Sequence, residues 1–217
     1  MSLKENSIPA NQVSEDCSDD ATQAADGSGL DYVISEVSIL SWGASTQRAG
    51  IYAAYPKGKM LDKSLKLRSE FKSRIFKQLD DVVIPKYGTE VSEKEHIQNI
   101  KSLSEFGTKV GRELTGKLGA AFLRAEGYKI GIAQKLLNLH LKYLWCLGQI
   151  PEPPHCPVDA LILKKSKEPK AVLAELTPWT KINLIEEYMA TIEVLRIEAD
   201  KENQRLATWE LAKYERR

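Results

Sequence analysis

The sequence has few cysteines, no long apolar run and no strand pattern, and each absence excludes a class of protein. Its three cysteines, Cys17, Cys146 and Cys156, are odd in number and irregular in spacing. This excludes a disulfide framework and, within one chain, a four-thiolate iron–sulfur cluster. A reducing cytoplasm is therefore the simplest expected location. Because no run of about eighteen apolar residues and no secretory leader is recognisable, no membrane span is expected.

Strand signals are also missing. β-Branched residues never alternate with polar ones over the length of a strand, and no Asn-Gly turn is present. Apolar residues instead recur at helical spacing from residue 31 onward. The sequence predicts an all-α, multi-helix globular domain over residues 30–217, preceded by a disordered acidic tail over residues 1–29.

Capping and breaking residues divide this domain into a series of predicted helices. Ser92, followed three residues later by Glu95, forms a capping box, and Gly107 and Gly111 are expected to interrupt the helix that follows. The other predicted helices are a short one from Asp31 to Gly43, a second short one through Ile51 and Tyr55, a long one ended by Pro85, and one from Leu114 to Ala125. They are followed by a central apolar helix from Gly131 to Gly148, a short one capped by Asp159, one that starts at Thr177 or Thr180, and a last one from Asn203 to Lys213.

Charge is unevenly distributed although the formal net charge is only +1. Residues 1–30 carry one base and six acids, and residues 48–77 carry nine bases and two acids. Such a basic stretch attracts polyanions, but it is equally the composition of a solvated helix face. The candidate nucleic-acid-binding residues in it are Lys57, Lys59, Lys63, Lys66, Arg68, Lys72 and Arg74.

The turn before the central helix is a candidate helix–hairpin–helix. Its glycines, Gly127 and Gly131, let a DNA backbone approach closely, and amides at a helix start can hold a phosphate. Lys129 would add a positive charge beside them. Three nearby aromatic residues are candidates for stacking on a base: Tyr128, Tyr143 and Trp145.

Two motifs resemble one known family. The segment Gly-Ile-Ala-Gln-Lys ends at Lys135, and Pro-Val-Asp ends at Asp159. They resemble the Gly-Val-Gly-x-Lys hairpin and the Pro-Val-Asp segment of the helix–hairpin–helix DNA glycosylases, the group of endonuclease III and 8-oxoguanine DNA glycosylase. The resemblance covers about residues 114–165. Ala133 stands in place of the second hairpin glycine, and Ala160-Leu161 stands in place of the family's Thr-His.

The resemblance implies that Lys135 attacks the sugar of a damaged nucleotide and that Asp159 assists as the catalytic carboxylate. Double-stranded DNA would be the partner, and no cofactor or metal would be required. Simpler interpretations stay open: Lys135 extends from an apolar helix into water, and Asp159 is only an N-cap. The chain as a whole would then be a non-catalytic helical interaction or regulatory module of a bacterial or mobile-element system, whose protein partner the sequence leaves unknown.

Histidines and cysteines cluster in the same region, but their spacing does not favour a metal site. His140 and Cys146 fall on different sides of one helix, and His155 and Cys156 are adjacent. We expect Cys146 to be a buried structural residue. His96 falls on the polar face of its predicted helix, which indicates a solvent-exposed side chain.

Overall fold

The computed structural model describes residues 19–47 and 49–214, and it contains eight α-helices and no strand within them. The helices are α1 Asp19–Thr46, α2 Lys59–Gln78, α3 Glu93–Leu118, α4 Ile130–Cys146, α5 Ala160–Leu163, α6 Lys170–Glu175, α7 Ile185–Lys201 and α8 Leu206–Lys213. The predicted all-α class is confirmed. None of these helices is both long and apolar enough to cross a bilayer.

The chain divides into two compact units, Met1–Glu36 and Val37–Arg217. In the first unit the described part belongs to α1, which begins at Asp19 and so within the segment predicted to be a tail. Residues 1–18 of that segment lie outside the described residues. In the second unit a hydrophobic core forms around α2, α3, α4 and α7, with Phe71, Leu103, Leu136 and Tyr188 fully buried.

The central helix α4 is predicted well, because its side chains are apolar nearly all round. It starts at Ile130 and ends at Cys146, and all but four of its residues are buried. It packs against α3 and α7. A helix whose side chains are apolar on nearly every side packs inside a helical domain, so the apolar pattern indicates its central place.

The predicted helix from Leu114 to Ala125 is wrong. Helix α3 ends at Leu118, where Gly119 adopts the left-handed conformation at φ +79°. The chain beyond it runs antiparallel to residues 51–53: the amide of Arg124 donates to Ile51 O, and that of Ala53 donates to Phe122 O, each at 3.0 Å. This pairing also replaces the short helix predicted through Ile51. The helix–hairpin–helix predicted at this place is therefore not confirmed.

The predicted start at Asp31 and the predicted breaks at three glycines are also wrong. Helix α1 passes through Asp31 and Gly43 without interruption, and α3 passes through Gly107 and Gly111. In α3 these glycines mark close packing, because a Cβ atom on Gly107 would lie 2.5 Å from Tyr128. The capping prediction at Ser92 is confirmed, since its hydroxyl accepts the amide of Glu95 at 3.2 Å.

The end of α2 contains two turns that are not α-helical. A π-helical turn covers Leu79–Val83, and a 3₁₀ turn covers Ile84–Gly88 with Pro85 in its first positions. The prediction that Pro85 ends the helix is wrong, because α2 ends earlier, at Gln78, and Pro85 lies in the first positions of the 3₁₀ turn, where its missing N–H is tolerated. The buried side chains of Leu79, Val83 and Tyr87 attach this segment to the core.

A candidate lysine–aspartate site

Lys135 and Asp159 meet at the wall of one cavity. Lys135 Nζ lies 3.1 Å from Asp159 Oδ2, and the side chains are 10% and 24% exposed. The cavity has a volume of about 580 Å³ and lies between α4, the start of α5, the last residues of α1 and the region of α8. The structure thus brings together two side chains that are 24 residues apart in the chain.

Asp159 has a second role in addition to facing the amine. Its Oδ1 accepts the amides of Leu161 at 2.7 Å and Ile162 at 3.1 Å, so it is the N-cap of α5. The predicted cap is confirmed. Capping fixes the carboxylate in one orientation and leaves Oδ2 directed at Lys135.

The ammonium of Lys135 is also held by an aromatic ring. Nζ lies 4.2 Å from the centroid of Trp179, a distance at which a cation is attracted to the ring face. Trp179 precedes α7 and is itself 6% exposed. Local spacing in the sequence does not indicate this contact, because Lys135 and Trp179 are 44 positions apart.

The first turn of α4 is covered by the segment before α7. The amide of Gly131 donates to Ile182 O at 3.0 Å, and a Cβ atom there would lie 1.8 Å from Trp179 O. Lys129 reaches the same segment, with Nζ 3.5 Å from Thr180 O. The Gly131 amide proposed to hold a phosphate is therefore already bonded, and this glycine serves close packing instead.

The other predicted DNA contacts are dispersed over the molecule. Gly127 lies at a separate cavity of about 170 Å³, and no residue between 57 and 77 lines the larger one. Several cations of α2 have partners: Lys63 donates to Leu118 O, Arg68 lies over Tyr52, and Arg74 pairs with Glu113. Lys72 Nζ lies 5.7 Å from the centroid of Phe76, and the remaining candidates in this stretch are Lys57, Lys59 and Lys66.

The three stacking candidates differ in accessibility. Tyr128 is fully buried against Phe71, with ring centroids 5.8 Å apart, so it is a core residue. Trp145 is half-buried near the end of α4. Tyr143 lines the cavity that contains Lys135. Of the three, Tyr143 alone lies where a planar ligand of that cavity would contact it.

Polar side chains on α4 fasten the chain that carries Asp159. Gln134 Nε2 donates to Val158 O at 2.9 Å, and Gln134 Oε1 accepts the Val158 amide at 3.2 Å. Asn138 Nδ2 donates to Cys156 O at 3.0 Å. These residues flank Lys135 on the helix, so the bonds set the aspartate opposite the lysine. Gln134 and Asn138 are polar residues in an otherwise apolar helix, and this is the feature of the sequence that could have predicted buried hydrogen-bond partners for them.

The same network continues to the surface through His155. Asn138 also donates to the Tyr188 hydroxyl at 3.0 Å, and that hydroxyl lies 2.8 Å from His155 Nδ1. His155 Nε2 lies 2.8 Å from Glu93, which Arg196 also contacts. Burial lowers the pKa of His155 despite the opposing effect of Glu93.

Two predictions about single residues are wrong. Cys146 is exposed at the end of α4, whereas Cys156 is fully buried and burial raises the pKa of its thiol. His96 is also fully buried, because Tyr87 and His155 surround it, with Tyr87 Oη 2.7 Å from His96 Nδ1. Within the described residues no three His, Cys, Asp or Glu side chains are grouped as metal ligands.

No protein-family model, curated protein or solved structure matches this chain.

Proposed function

We propose that this protein is a DNA glycosylase with lyase activity, in which Lys135 is the nucleophile. The observation that carries the proposal is the 3.1 Å contact between Lys135 Nζ and Asp159 Oδ2 at the wall of a cavity of about 580 Å³. This volume lies in the range of ligand pockets, about 300–1,000 Å³. The partner would be double-stranded DNA with one nucleotide turned out of the stack.

The pair supports a balanced reaction. Asp159 accepts the proton that the Lys135 ammonium loses, and the neutral amine then attacks the sugar C1′. A bond forms between Nζ and C1′ as the bond from C1′ to the base breaks. The electron pair leaves with the base, which takes up the proton that Asp159 had accepted. The new C1′–N amine then passes a proton to the ring oxygen as the bond from C1′ to that oxygen breaks, which leaves a protonated Schiff base between Lys135 and the opened sugar.

Charge around the cavity favours an anionic ligand. Its lining contains five lysines and two acids, Asp159 and Glu210; each of these acids pairs with one of the lysines, and Lys213 pairs with Glu202 outside the lining. An excess of cations attracts a phosphate backbone to the cavity mouth. The lysines of this set are Lys135, Lys142, Lys164, Lys165 and Lys213.

Borohydride trapping tests the proposed nucleophile. With a duplex that contains an abasic site, the wild-type protein is expected to form a covalent adduct that survives denaturing electrophoresis. Lys135→Arg keeps the positive charge beside Asp159 but cannot become a neutral amine, so we expect no adduct. Lys94→Ala, which alters an exposed lysine of α3, should trap like the wild type.

Two results would contradict this assignment. One is a wild-type protein that gives no adduct with abasic-site DNA or with duplexes that carry several different lesions. The other is a Lys135→Arg variant that traps as strongly as the wild type, because the adduct would then form at another amine.

A second candidate function is that of a helical interaction module. Helix α1 exposes apolar side chains, among them Ile39 and Leu40, each 50% exposed. Adjacent exposed apolar residues favour contact with a protein partner. Size-exclusion chromatography and a DNA mobility-shift assay at low salt separate the two functions: a protein that forms assemblies but does not bind DNA is the module.

A further inference from the structure

A second lysine–carboxylate pair lies in the same cavity as the first. Lys142 follows Lys135 by seven residues on α4, so the two lysines project from one face, two helical turns apart. Lys142 Nζ lies 2.6 Å from Glu210 Oε2, and both residues line the cavity. Each lysine is also associated with an aromatic ring, since Lys142 Nζ lies 4.3 Å from the centroid of Tyr214.

Stability alone does not account for this second pair. The side chains of Lys142 and Glu210 are only 8% and 6% exposed. Burial raises the pKa of Glu210, and Lys142 opposes that shift. Removing two charges from water costs free energy that their attraction often fails to recover, so apolar residues of similar size usually stabilise a fold at least as well.

The pair has hydrogen-bonding groups that its own contact does not use. The ammonium of Lys142 has three N–H groups, of which one is directed at Glu210. Glu210 uses Oε2 for this contact, and its other carboxylate oxygen is Oε1. The pair therefore presents a donor and an acceptor side by side to the cavity.

We infer that Lys142 and Glu210 bind the edge of an unstacked nucleobase that carries a carbonyl beside an N–H group. The base carbonyl accepts from Lys142 Nζ, and the base N–H donates to Glu210 Oε1. The inference rests on the proposed function, because the base so held would be the one that Lys135 displaces. In this arrangement Lys142 and Glu210 recognise the base, and Lys135 and Asp159 carry out the reaction at the sugar.

The test compares excision with trapping in a double variant. Lys142→Met together with Glu210→Leu removes both charges and keeps the side-chain volumes similar. Substrates are duplexes containing uracil, hypoxanthine or 8-oxoguanine, each with a carbonyl beside an N–H, and abasic-site duplex serves for trapping. We expect the ratio of excision rate to trapping rate to fall by about a hundredfold or more, because trapping requires no base.

A matched control removes an ion pair that lies away from the cavity. Lys117 and Glu70 join α3 to α2, and their side chains are 55% and 35% exposed. Lys117→Met with Glu70→Leu should leave the ratio within about twofold of the wild type. A duplex with ethenoadenine, whose base has no carbonyl beside an N–H, should not be excised by the wild type. Excision of ethenoadenine, or an unchanged ratio in the cavity variant, would overturn the inference.

A binding measurement keeps the inference testable if no reaction occurs. If the wild-type protein is not trapped, this result contradicts the proposed lyase activity but leaves base recognition by Lys142 and Glu210 to be tested. Isothermal titration with free hypoxanthine then measures base recognition directly. Binding to the wild type that is lost in the Lys142→Met, Glu210→Leu protein supports the inference. No binding to the wild type, or equal binding to both proteins, refutes it.

Discussion

The sequence singles out Gly131 as a position that requires glycine, but the reason lies in packing within the chain and not in DNA binding. The sequence suggested a glycine that admits a DNA backbone, and the structure places it against another part of the same chain. Its amide is bonded to Ile182 O, and its missing side chain leaves room for Trp179 O. Trp179 in turn lies over Lys135. The glycine therefore allows the aromatic contact to the proposed nucleophile.

Gly131→Ala is expected to destabilise the fold and weaken trapping together. The added Cβ would lie 1.8 Å from a backbone oxygen, so the segment around Trp179 must move. Such overpacking costs about 1–3 kcal/mol of unfolding free energy, which urea denaturation measures. Gly116→Ala is the control: no heavy atom lies within 4 Å of its Cβ position, and alanine favours a helix interior. Equal stability of the two variants would contradict this account.

At the scale of elements, the site depends on how residues 156–158 attach to α4. Asp159 caps α5, a helix of only four residues that cannot position a carboxylate by itself. Gln134 supplies the attachment by binding both the amide and the carbonyl of Val158. The Gln134 side-chain amide thus pairs with the backbone of Val158 as a neighbouring β-strand would, because it donates to the carbonyl and accepts from the amide of the same residue.

Gln134→Met tests this attachment. Methionine fits the space but leaves the Val158 amide and carbonyl without their partner, at a cost of about 1–3 kcal/mol for each buried group. We expect a lower urea midpoint and slower trapping at Lys135. The trapping rate should fall by more than the fraction of folded protein does, because Asp159 is displaced even in the molecules that remain folded. Gln98→Met, on the exposed face of α3, should change neither. A stable variant with wild-type trapping would show that Asp159 is positioned otherwise.

For the whole molecule, three buried histidines link stability to pH. All three have lowered pKa values: burial is the largest cause for each, and it lowers the pKa of His140 to about 4. The unfolded chain therefore binds protons more tightly than the folded one. Stability is complete above the ordinary pKa of about 6.5 and declines as pH falls towards the folded value.

His140→Leu should remove part of this decline. Between pH 6.5 and 5 His140 contributes up to about 2 kcal/mol of lost stability in the wild type, and leucine takes up no proton. Its Nδ1 has no hydrogen-bond partner among the described residues, so the substitution breaks no bond at that atom. Urea denaturation at several pH values measures the slope. Equal slopes for the two proteins would exclude His140 as a source of the pH dependence.

The sequence by itself determined the helical class, the central place of α4 and the cap at Asp159, because each follows from side chains a few residues apart. Apolar periodicity and capping act locally, so they can be read without coordinates. Tertiary structure decided where α3 ends, which glycines are packed, and that Lys135 lies between Asp159 and Trp179. It also decided that Lys142 meets Glu210 at 2.6 Å. These contacts join residues 24 to 68 positions apart, and folding alone brings them together.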